Sequence, residues 1–110
     1  GTPLRLTVQA PPTLPPLTAA VEVAAYRIVV EALTNAARHS GSDTVTAALS
    51  ADAGALTIEV HDRGAKRQGR WKAGVGMSSM RERAAEIGGS IEVGPGDTGG
   101  RVRARLPLSV

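Results

Sequence analysis

Apolar residues recur every three or four positions along one stretch of the chain, from Ala19 to Ser40. This spacing is typical of an α-helix with a single buried face. The apolar stripe consists of Val21, Ala25, Ile28, Val29, Ala32, Leu33 and Ala36. Glu31, Asn35 and Arg38 follow one another at spacings of four and three, so they project along one edge of the stripe. We therefore predict a long amphipathic helix that carries an acid, an amide and a guanidinium beside its apolar face.

Strict alternation of apolar and polar residues predicts five half-buried β-strands elsewhere in the chain. Their alternating apolar positions are Leu4, Leu6 and Val8; Val45, Ala47 and Leu49; Leu56, Ile58 and Val60; Ile91 and Val93; and Val102, Ala104 and Leu106. A sheet covered on both faces would instead show continuous apolar runs, so we expect one wet face and one face under helices. The predicted fold class is α+β, a two-layer α/β sandwich whose sheet is mixed and mostly antiparallel.

Turn-forming residues separate these segments. Asp52-Ala53-Gly54 predicts a hairpin between the second and third strands, and Gly94 to Gly100 predicts a turn before the last strand. Four prolines between Ala10 and Pro16 make that stretch a connector, and Pro15 or Pro16 is suited to open the long helix. The long helix is predicted to end near Ser40.

A second, shorter helix is predicted after a stretch without periodicity that runs from Asp62 to Gly76. Its apolar stripe consists of Met77, Met80, Ala84 and Ile87. A possible capping box from Ser79 to Glu82 predicts where it starts, and Gly88-Gly89 predicts where it ends.

Composition restricts the class of protein. The 110 residues are enough for one domain with one core, which must be aliphatic because the chain has no Phe, one Tyr and one Trp. The absence of Cys excludes disulfides and thiolate metal sites. No apolar run is long enough to span a bilayer, and the pattern of a signal peptide is not expected in this stretch. We interpret residues 1–110 as a single domain, part of a longer protein.

Charge is distributed unevenly along the chain. Residues 1–60 carry a net −2 and residues 61–110 a net +5, and five cations fall between Arg63 and Lys72 with no acid among them. Such a cluster attracts phosphates, nucleic acid or an acidic protein. Because nucleic-acid modules usually add stacking aromatics or a basic helix, a mobile basic loop is the better interpretation and no nucleic-acid partner is expected.

Two short motifs offer ligand-binding chemistry, although each is weak alone. Asp62-Arg63-Gly64 follows a predicted strand, where a carboxylate can accept a hydrogen bond from an amino group, but an isolated motif of this type is more often a plain turn. Gly74-Val75-Gly76 precedes a helix, so bare backbone and the helix N-terminus can receive phosphate oxygens. Together with Glu31 and Asn35 on the long helix, these motifs suit one nucleotide. Asn35 also offers an oxygen to Mg²⁺, an ion that keeps most of its waters.

Other common sites are absent from the sequence. A Rossmann fingerprint would need a glycine where Ser79 stands, and neither a P-loop nor a serine-hydrolase elbow occurs. His39 and His61 are the only histidines, too few for a zinc site without carboxylate ligands.

At the level of motifs, Glu31 to Ser40 resembles the N box of sensor histidine kinases. His61 to Gly64 resembles their G1 box, and Gly74 to Met77 their G2 box. Three further segments are similar to the short-lid, nitrate-sensor-like subfamily of bacteria: Leu14 to Pro16, Met80 to Arg83, and Arg101 to Leu108. The match covers essentially the whole chain, and it implies the Bergerat fold shared by gyrase-type, chaperone, histidine kinase and mismatch-repair ATPases.

The resemblance implies a role for each matching residue. Asn35 would ligate Mg²⁺ that bridges the phosphates of ATP, and Glu31 would position or activate water or the acceptor imidazole. Asp62 would accept a hydrogen bond from the adenine amino group, with Gly64 allowing its approach. The remaining expected contacts, at the phosphates, the ribose edge or the hinges of the lid, come from Arg38, His39, Lys72, Gly74, Val75, Gly76 and Met77.

Two departures from the family pattern stand in this sequence. Lys66 occupies the position of the second glycine of the G1 box. Gly100 stands where many members have a Thr behind the adenine, and Thr98 is displaced by two, so that contact is expected to be lost or made through water.

The resemblance therefore implies a protein-histidine kinase domain that binds Mg–ATP and donates the γ-phosphoryl group to a histidine on a separate dimerisation domain, with a response regulator downstream. The isolated fragment is expected to be a cytoplasmic monomer that does not contact the membrane and does not phosphorylate itself appreciably. Whether the parent is membrane-anchored stays open. The alternatives are an anti-sigma-factor-type serine kinase, a degenerate nucleotide-binding regulator without transfer activity, and a basic structural or nucleic-acid module.

Overall fold

A computed structural model of the chain describes residues 5–35, 44–52, 54–62, 75–95 and 100–108. The elements in chain order are β1 (Arg5–Gln9), α1 (Ala19–Asn35), β2 (Thr44–Asp52), β3 (Ala55–Asp62), α2 (Val75–Glu86), β4 (Ser90–Pro95) and β5 (Gly100–Pro107). The five strands form a sheet in the order β1-β2-β3-β5-β4. The β1–β2 pair is parallel and the other three pairs are antiparallel. The predicted α+β fold with a mixed, mostly antiparallel sheet is confirmed.

The core lies between the two helices and one face of the sheet. From α1 it receives Val21, Ala24, Ile28 and Ala32, and from α2 it receives Met80 and Ala84. The strands contribute Val45, Ala47, Leu56, Ile58, Val60, Ile91, Val102, Ala104 and Leu106. Of the predicted stripe of α1, Val21, Ile28 and Ala32 are buried, as expected. Three further members are only partly buried, namely Ala25, Val29 and Leu33, and Ala36 lies outside the described residues.

The first turn of α1 is capped by Thr18, and not opened by Pro15 or Pro16 as predicted. The Val21 N–H donates to Oγ1 of Thr18 at 3.4 Å, and the Glu22 N–H donates to the Thr18 carbonyl at 3.0 Å. A hydroxyl residue at this position satisfies a helix N–H that has no carbonyl partner within the helix. The helix therefore begins at Ala19, beyond the prolines. Its end is described as far as Asn35, so the predicted end near Ser40 lies outside the described residues.

The prediction for the start of α2 is wrong and that for its end is confirmed. The helix begins at Val75, so the proposed capping box at Ser79 falls inside it. At the other end Gly88 has a φ of +82°, its N–H donates to the Ala85 carbonyl, and the Gly89 N–H donates to the Ala84 carbonyl at 2.7 Å. This pair of bonds is the Schellman motif, which needs a residue in the left-handed conformation. It turns the chain directly into β4.

The edge strand β1 is more exposed than its alternating pattern predicted. All five of its residues are exposed, including Leu6 at 46% and Val8 at 59%. Leu6 and Val8 pair in parallel register with the buried Val45 and Ala47 of β2. However, β1 is the terminal strand of the sheet and α1 packs over β3 and β5, so the helix layer gives β1 little cover. The alternation of apolar and polar residues correctly predicted that β1 is a strand. It incorrectly predicted that one face of this strand is buried.

The opposite face of the sheet is polar, as predicted. Oε1 of Glu59 lies 3.1 Å from Nε2 of His61 and 3.8 Å from Nε of Arg101, and Arg105 pairs with Asp52 at 3.7 Å. The predicted hairpin between β2 and β3 is confirmed, with Asp52 opposite Ala55 and Gly54 at a φ of +87°. The predicted turn from Gly94 is shorter than expected. Gly94 and Pro95 still belong to β4 and pair with the start of β5.

Candidate functional site

The topology brings the ends of several elements to the same edge of the molecule. Because β1 and β2 are parallel, α1 must carry the chain back along the sheet and end near the start of β2. The connector between β1 and α1 supports this direction, since Pro11, Thr13 and Pro15 line a depression together with the carboxyl half of β2. The last residue of α1 in the described chain, Asn35, therefore lies toward the end of the sheet where β2 begins at Thr44.

Asp62 lies at this same edge. Its register partner on β2 is Val45, one residue after the start of that strand. On the other side of β3, His61 pairs with Arg101, so β5 begins beside the end of β3. Since β3 and β4 both run antiparallel to β5, they are parallel to each other, and α2 between them must also begin at this edge. The fold thus brings together the main-chain positions of Asn35 and Asp62 and the start of α2.

The Asp62 carboxylate is buried and held by the backbone. Its residue is 8% exposed, and Oδ1 accepts a hydrogen bond of 3.0 Å from the Gly100 N–H. Burying a carboxylate is costly unless hydrogen bonds compensate for the lost water. This bond lies just beyond His61 and Arg101, the last paired residues of β3 and β5 at this edge. It fixes one oxygen of the carboxylate.

Gly100 is a member of this arrangement that sequence reasoning did not assign. At this position the family pattern has a side chain that contacts the site, which Gly100 lacks. In the structure its backbone N–H bonds directly to Asp62. No local signal in the sequence shows this contact, because Asp62 and Gly100 are 38 residues apart. They meet only through the register of β3 and β5.

The first turn of α2 contains three of the predicted residues, Val75, Gly76 and Met77. Val75 and Gly76 were expected just before the helix but are already helical, whereas Met77 belongs to the helix as predicted. The first N–H groups of a helix have no carbonyl partner within it, and they lie at the positive end of the helix dipole. A helix that begins at this edge, with a glycine in its first turn, is suited to receive an anion.

Glu31 lies on α1 one turn before Asn35, and its residue is partly buried. It lines an open depression together with Arg27 and Val30 of the same helix and Met80 of α2. Part of Glu31 is therefore open to a molecule that enters the depression.

Five predicted residues lie outside the described residues: Arg38, His39, Gly64, Lys72 and Gly74. The basic cluster from Arg63 to Lys72 lies outside them as well. Of the two histidines, His61 is described, and it faces Glu59 on the polar face of the sheet.

Metal-binding chemistry is limited in the described part of the chain. Among its His, Cys, Asp and Glu side chains, no group of three or more is arranged to hold a metal ion. Mg²⁺ commonly takes one or two protein ligands and completes its shell with water and substrate phosphates. A single amide oxygen such as that of Asn35 is enough of a protein ligand to meet that requirement.

Comparisons with known proteins agree on one family. Residues 20–110 match the sequence profile described as histidine kinase-, DNA gyrase B- and HSP90-like ATPase. The sensor histidine kinase LiaS of Bacillus subtilis is 43% identical over 75 residues, which cover 66% of this chain and 21% of LiaS. The sensor histidine kinase YhcY of the same organism is 36% identical over 99 residues, which cover 86% of this chain and 26% of YhcY. The chain thus spans about a quarter or less of the length of these relatives.

Solved structures give the same result. The histidine kinase domain of the blue-light activated histidine kinase from Erythrobacter litoralis superposes with a TM-score of 0.73 and 27% identity. The alignment covers 96% of this chain and 52% of that one. Within the described residues, neither helix combines the length and the apolar character that crossing a bilayer requires.

Proposed function

Because this chain belongs to the family of histidine kinase-, DNA gyrase B- and HSP90-like ATPases, we propose that it is the ATP-binding catalytic domain of a sensor histidine kinase. The bound form is Mg–ATP, and the γ-phosphoryl group passes to a histidine on a separate dimerisation domain. The parent belongs to the short-lid, nitrate-sensor-like type and acts in two-component signalling. Its dimerisation domain and a response regulator are the protein partners, and the reaction takes place in the cytoplasm.

One observation carries this proposal. The ends of α1 and β3 and the start of α2 share one edge of the molecule, where the carboxylate of Asp62 is buried and oriented by Gly100. An adenine nucleotide needs an acceptor for its amino group and N–H donors for its phosphates. The fixed carboxylate of Asp62 offers the first, and the N-terminus of α2 offers the second.

In this proposal each end of the nucleotide has its own set of residues. Asp62 accepts a hydrogen bond from the exocyclic amino group of adenine, and Gly64 leaves room for the base. The phosphates receive backbone N–H groups from Gly74 to Met77. The cationic and imidazole contacts to the phosphates or the ribose edge come from Arg38, His39 and Lys72. These contacts orient the nucleotide and neutralise its charge, which is most of what phosphoryl transfer requires of a protein.

Asn35 is the residue that would hold Mg²⁺, through its side-chain oxygen. When bound, the ion supplies charge neutralisation between the phosphate groups of the nucleotide. Glu31, one turn earlier on α1, acts on the acceptor. Its carboxylate orients the imidazole and accepts the proton of the ring N–H. The other ring nitrogen bonds to the γ-phosphorus as the bond to the bridging oxygen breaks and ADP leaves.

Titration calorimetry with ADP, with and without Mg²⁺, tests the nucleotide site. We expect binding by the chain alone and a clear gain in affinity with the metal. Absence of heat under both conditions, confirmed by equilibrium dialysis with labelled ADP, would contradict the proposal.

Adding the parent's histidine-bearing domain in trans, with γ-labelled ATP, tests the transfer. We expect acid-labile, base-stable label on that domain and little on the chain itself. Nucleotide binding without any phosphohistidine would instead support the regulatory alternative. Acid-stable label on a serine of a partner would support the serine-kinase alternative.

A further inference from the structure

The polar face of the sheet carries a cluster of three charged side chains, Glu59, His61 and Arg101, where β3 and β5 meet at the edge of the sheet. Oε1 of Glu59 lies 3.1 Å from Nε2 of His61 and 3.8 Å from Nε of Arg101. In the ladder Glu59 stands opposite Arg103, and His61 stands opposite Arg101. The Glu59 carboxylate therefore reaches diagonally toward the strand ends, a distance that long side chains can span. One oxygen atom contacts both strands at their last pair.

This Glu59 cluster lies directly behind the hydrogen bond that holds the Asp62 carboxylate. Asp62 follows His61 in the chain, and Gly100 precedes Arg101. Because successive side chains of a strand point to opposite faces, Asp62 lies on the buried side of the sheet and the cluster on the polar side. On the buried side the Gly100 N–H donates to Oδ1 of Asp62 at 3.0 Å. The two strand ends are thus held together on both faces, by contacts that involve neighbouring residues.

The position of the Glu59 cluster matters more than its strength. The side chains of Glu59 and Arg101 are 33% and 37% exposed, and ion pairs open to water contribute little to the stability of a whole fold. Local opening at the end of a strand also requires far less free energy than global unfolding. A contact that is minor for the fold can therefore change how often these two strand ends separate. Each separation breaks the bond from Gly100 and releases the Asp62 carboxylate from its fixed orientation.

We propose that Glu59 is a positioning residue for the nucleotide site. From the polar face it holds the ends of β3 and β5 together, and through them it keeps the Asp62 carboxylate oriented toward the amino group of adenine. Glu59 does not touch the nucleotide itself, because its side chain lies on the opposite face of the sheet from that of Asp62. This assignment rests on the function proposed above, which places adenine at Asp62.

The effect of Glu59 should fall on recognition of the base. A carboxylate that is already fixed before the ligand arrives loses less freedom on binding, so a mobile one binds the amino group of ADP more weakly. GDP presents a carbonyl at that position of the ring, to which a carboxylate cannot donate a bond. The orientation of Asp62 therefore supports ADP and not GDP. Loss of the Glu59 carboxylate should reduce the preference between these two nucleotides.

Hydrogen exchange of the ¹⁵N-labelled chain, followed by NMR without nucleotide, tests the link from Glu59 to Asp62. The variant Glu59→Thr removes the carboxylate and keeps a residue suited to strands. We expect its Gly100 amide to exchange about two- to fivefold faster than in the parent, the scale of one exposed ion pair. The amide of Ile58, which is 0% exposed in the middle of β3, should change less.

Asp52→Asn is the matched control for this variant. It removes an ion pair of similar length, 3.7 Å to Arg105, near the opposite end of the same polar face. It changes the net charge by the same amount as Glu59→Thr, but it acts far from Asp62. Exchange of the Gly100 amide should therefore match that of the parent chain.

Titration calorimetry tests the second step, from Asp62 to the base. We expect Glu59→Thr to raise the dissociation constant for ADP about two- to fivefold and to leave that for GDP unchanged. In the background Asp62→Asn, the same substitution should have no further effect on ADP, because Glu59 acts through Asp62. An effect of equal size in both backgrounds would show that Glu59 acts on the nucleotide through its charge, and would overturn the proposal.

Two exchange results would also overturn the proposal. One is an unchanged rate for the Gly100 amide in Glu59→Thr, and the other is equal acceleration of Gly100 and Ile58, which would assign Glu59 to global stability alone. Failure of the proposed function gives a different result. If the parent chain binds no ADP while Gly100 still exchanges faster in Glu59→Thr, the link from Glu59 to Asp62 is confirmed and the nucleotide site is contradicted.

Discussion

The backbone N–H of Gly100 donates a hydrogen bond of 3.0 Å to Oδ1 of Asp62, across the ends of two neighbouring antiparallel strands. The bond orients a carboxylate that is 8% exposed, at the edge that holds Asn35 of α1 and the start of α2. A side chain that is both buried and fixed can discriminate between ligands by hydrogen bonding, because an unmatched partner leaves a buried group unsatisfied.

The variant Asp62→Asn separates the bond that Asp62 accepts from Gly100 from the bond that we propose it accepts from adenine. An Asn can keep an oxygen facing Gly100, but its amide then presents N–H groups, which cannot accept a bond from the adenine amino group. We expect ADP binding to weaken by roughly ten- to a hundredfold, the equivalent of losing one bond to a charged acceptor. The preference for ADP over GDP should fall as well, as measured by titration calorimetry.

Asp52→Asn is the matched control for this change, because Asp52 is an exposed carboxylate paired with Arg105 at the far end of β2. It should bind ADP as the parent does. Equal affinity of Asp62→Asn and the parent for ADP would remove Asp62 from the base pocket.

Removing the Asn35 side chain should weaken only the metal-dependent part of nucleotide binding. In Asn35→Ala we expect the gain in ADP affinity on adding Mg²⁺ to shrink, while affinity without metal stays close to that of the parent, since Mg²⁺ takes few protein ligands. Calorimetry at matched ionic strength measures both values. Thr34→Ala is the control, because the Thr34 hydroxyl donates to the Val30 carbonyl within the helix. An undiminished metal effect in Asn35→Ala would exclude Asn35 as the ligand.

Gly89 should not tolerate a side chain, because a Cβ there would lie 2.6 Å from the Arg105 carbonyl oxygen and 2.8 Å from Cδ2 of Leu106. Both neighbours belong to β5, and the first is backbone. We expect Gly89→Ala to lower the free energy of unfolding by about 1–3 kcal/mol, the usual cost of overpacking. Gly94→Ala is the matched control, since nothing lies within 4 Å of a Cβ there. Urea unfolding of both variants decides the point, and equal stability would show that β5 moves aside at little cost.

The cap of α1 should contribute measurably to stability. Thr18→Ala removes the oxygen that accepts from the Val21 N–H at 3.4 Å. We expect a loss of about 0.5–1 kcal/mol, toward the lower end for such caps because the bond is long. Thr18→Ser keeps the hydroxyl and should restore most of the loss. Thermal unfolding followed by circular dichroism compares the three proteins, and a Ser variant as unstable as the Ala variant would point to the Thr18 methyl group instead.

Local patterns predicted much of the fold. The period of three and four in α1 and the alternation in β2 to β5 follow from backbone geometry, which a stretch of sequence expresses without reference to the rest of the chain. The left-handed residue that ends α2 was predictable for the same reason, since Gly adopts that conformation without strain. The resemblance of short motifs to a kinase family supplied the candidate residues of the site, and both their membership and their roles stay predictions.

Burial and long-range contact were decided only by the tertiary structure. The alternation of Leu6 and Val8 is the same as that of Val45 and Ala47, yet the first pair is exposed and the second buried. The difference arises because β1 is the terminal strand, a fact set by strand order. Likewise the outer face of α1 and the bond from Gly100 to Asp62 depend on which elements pack together. Periodicity shows which side chains share a face, but only the assembled chain determines what covers that face.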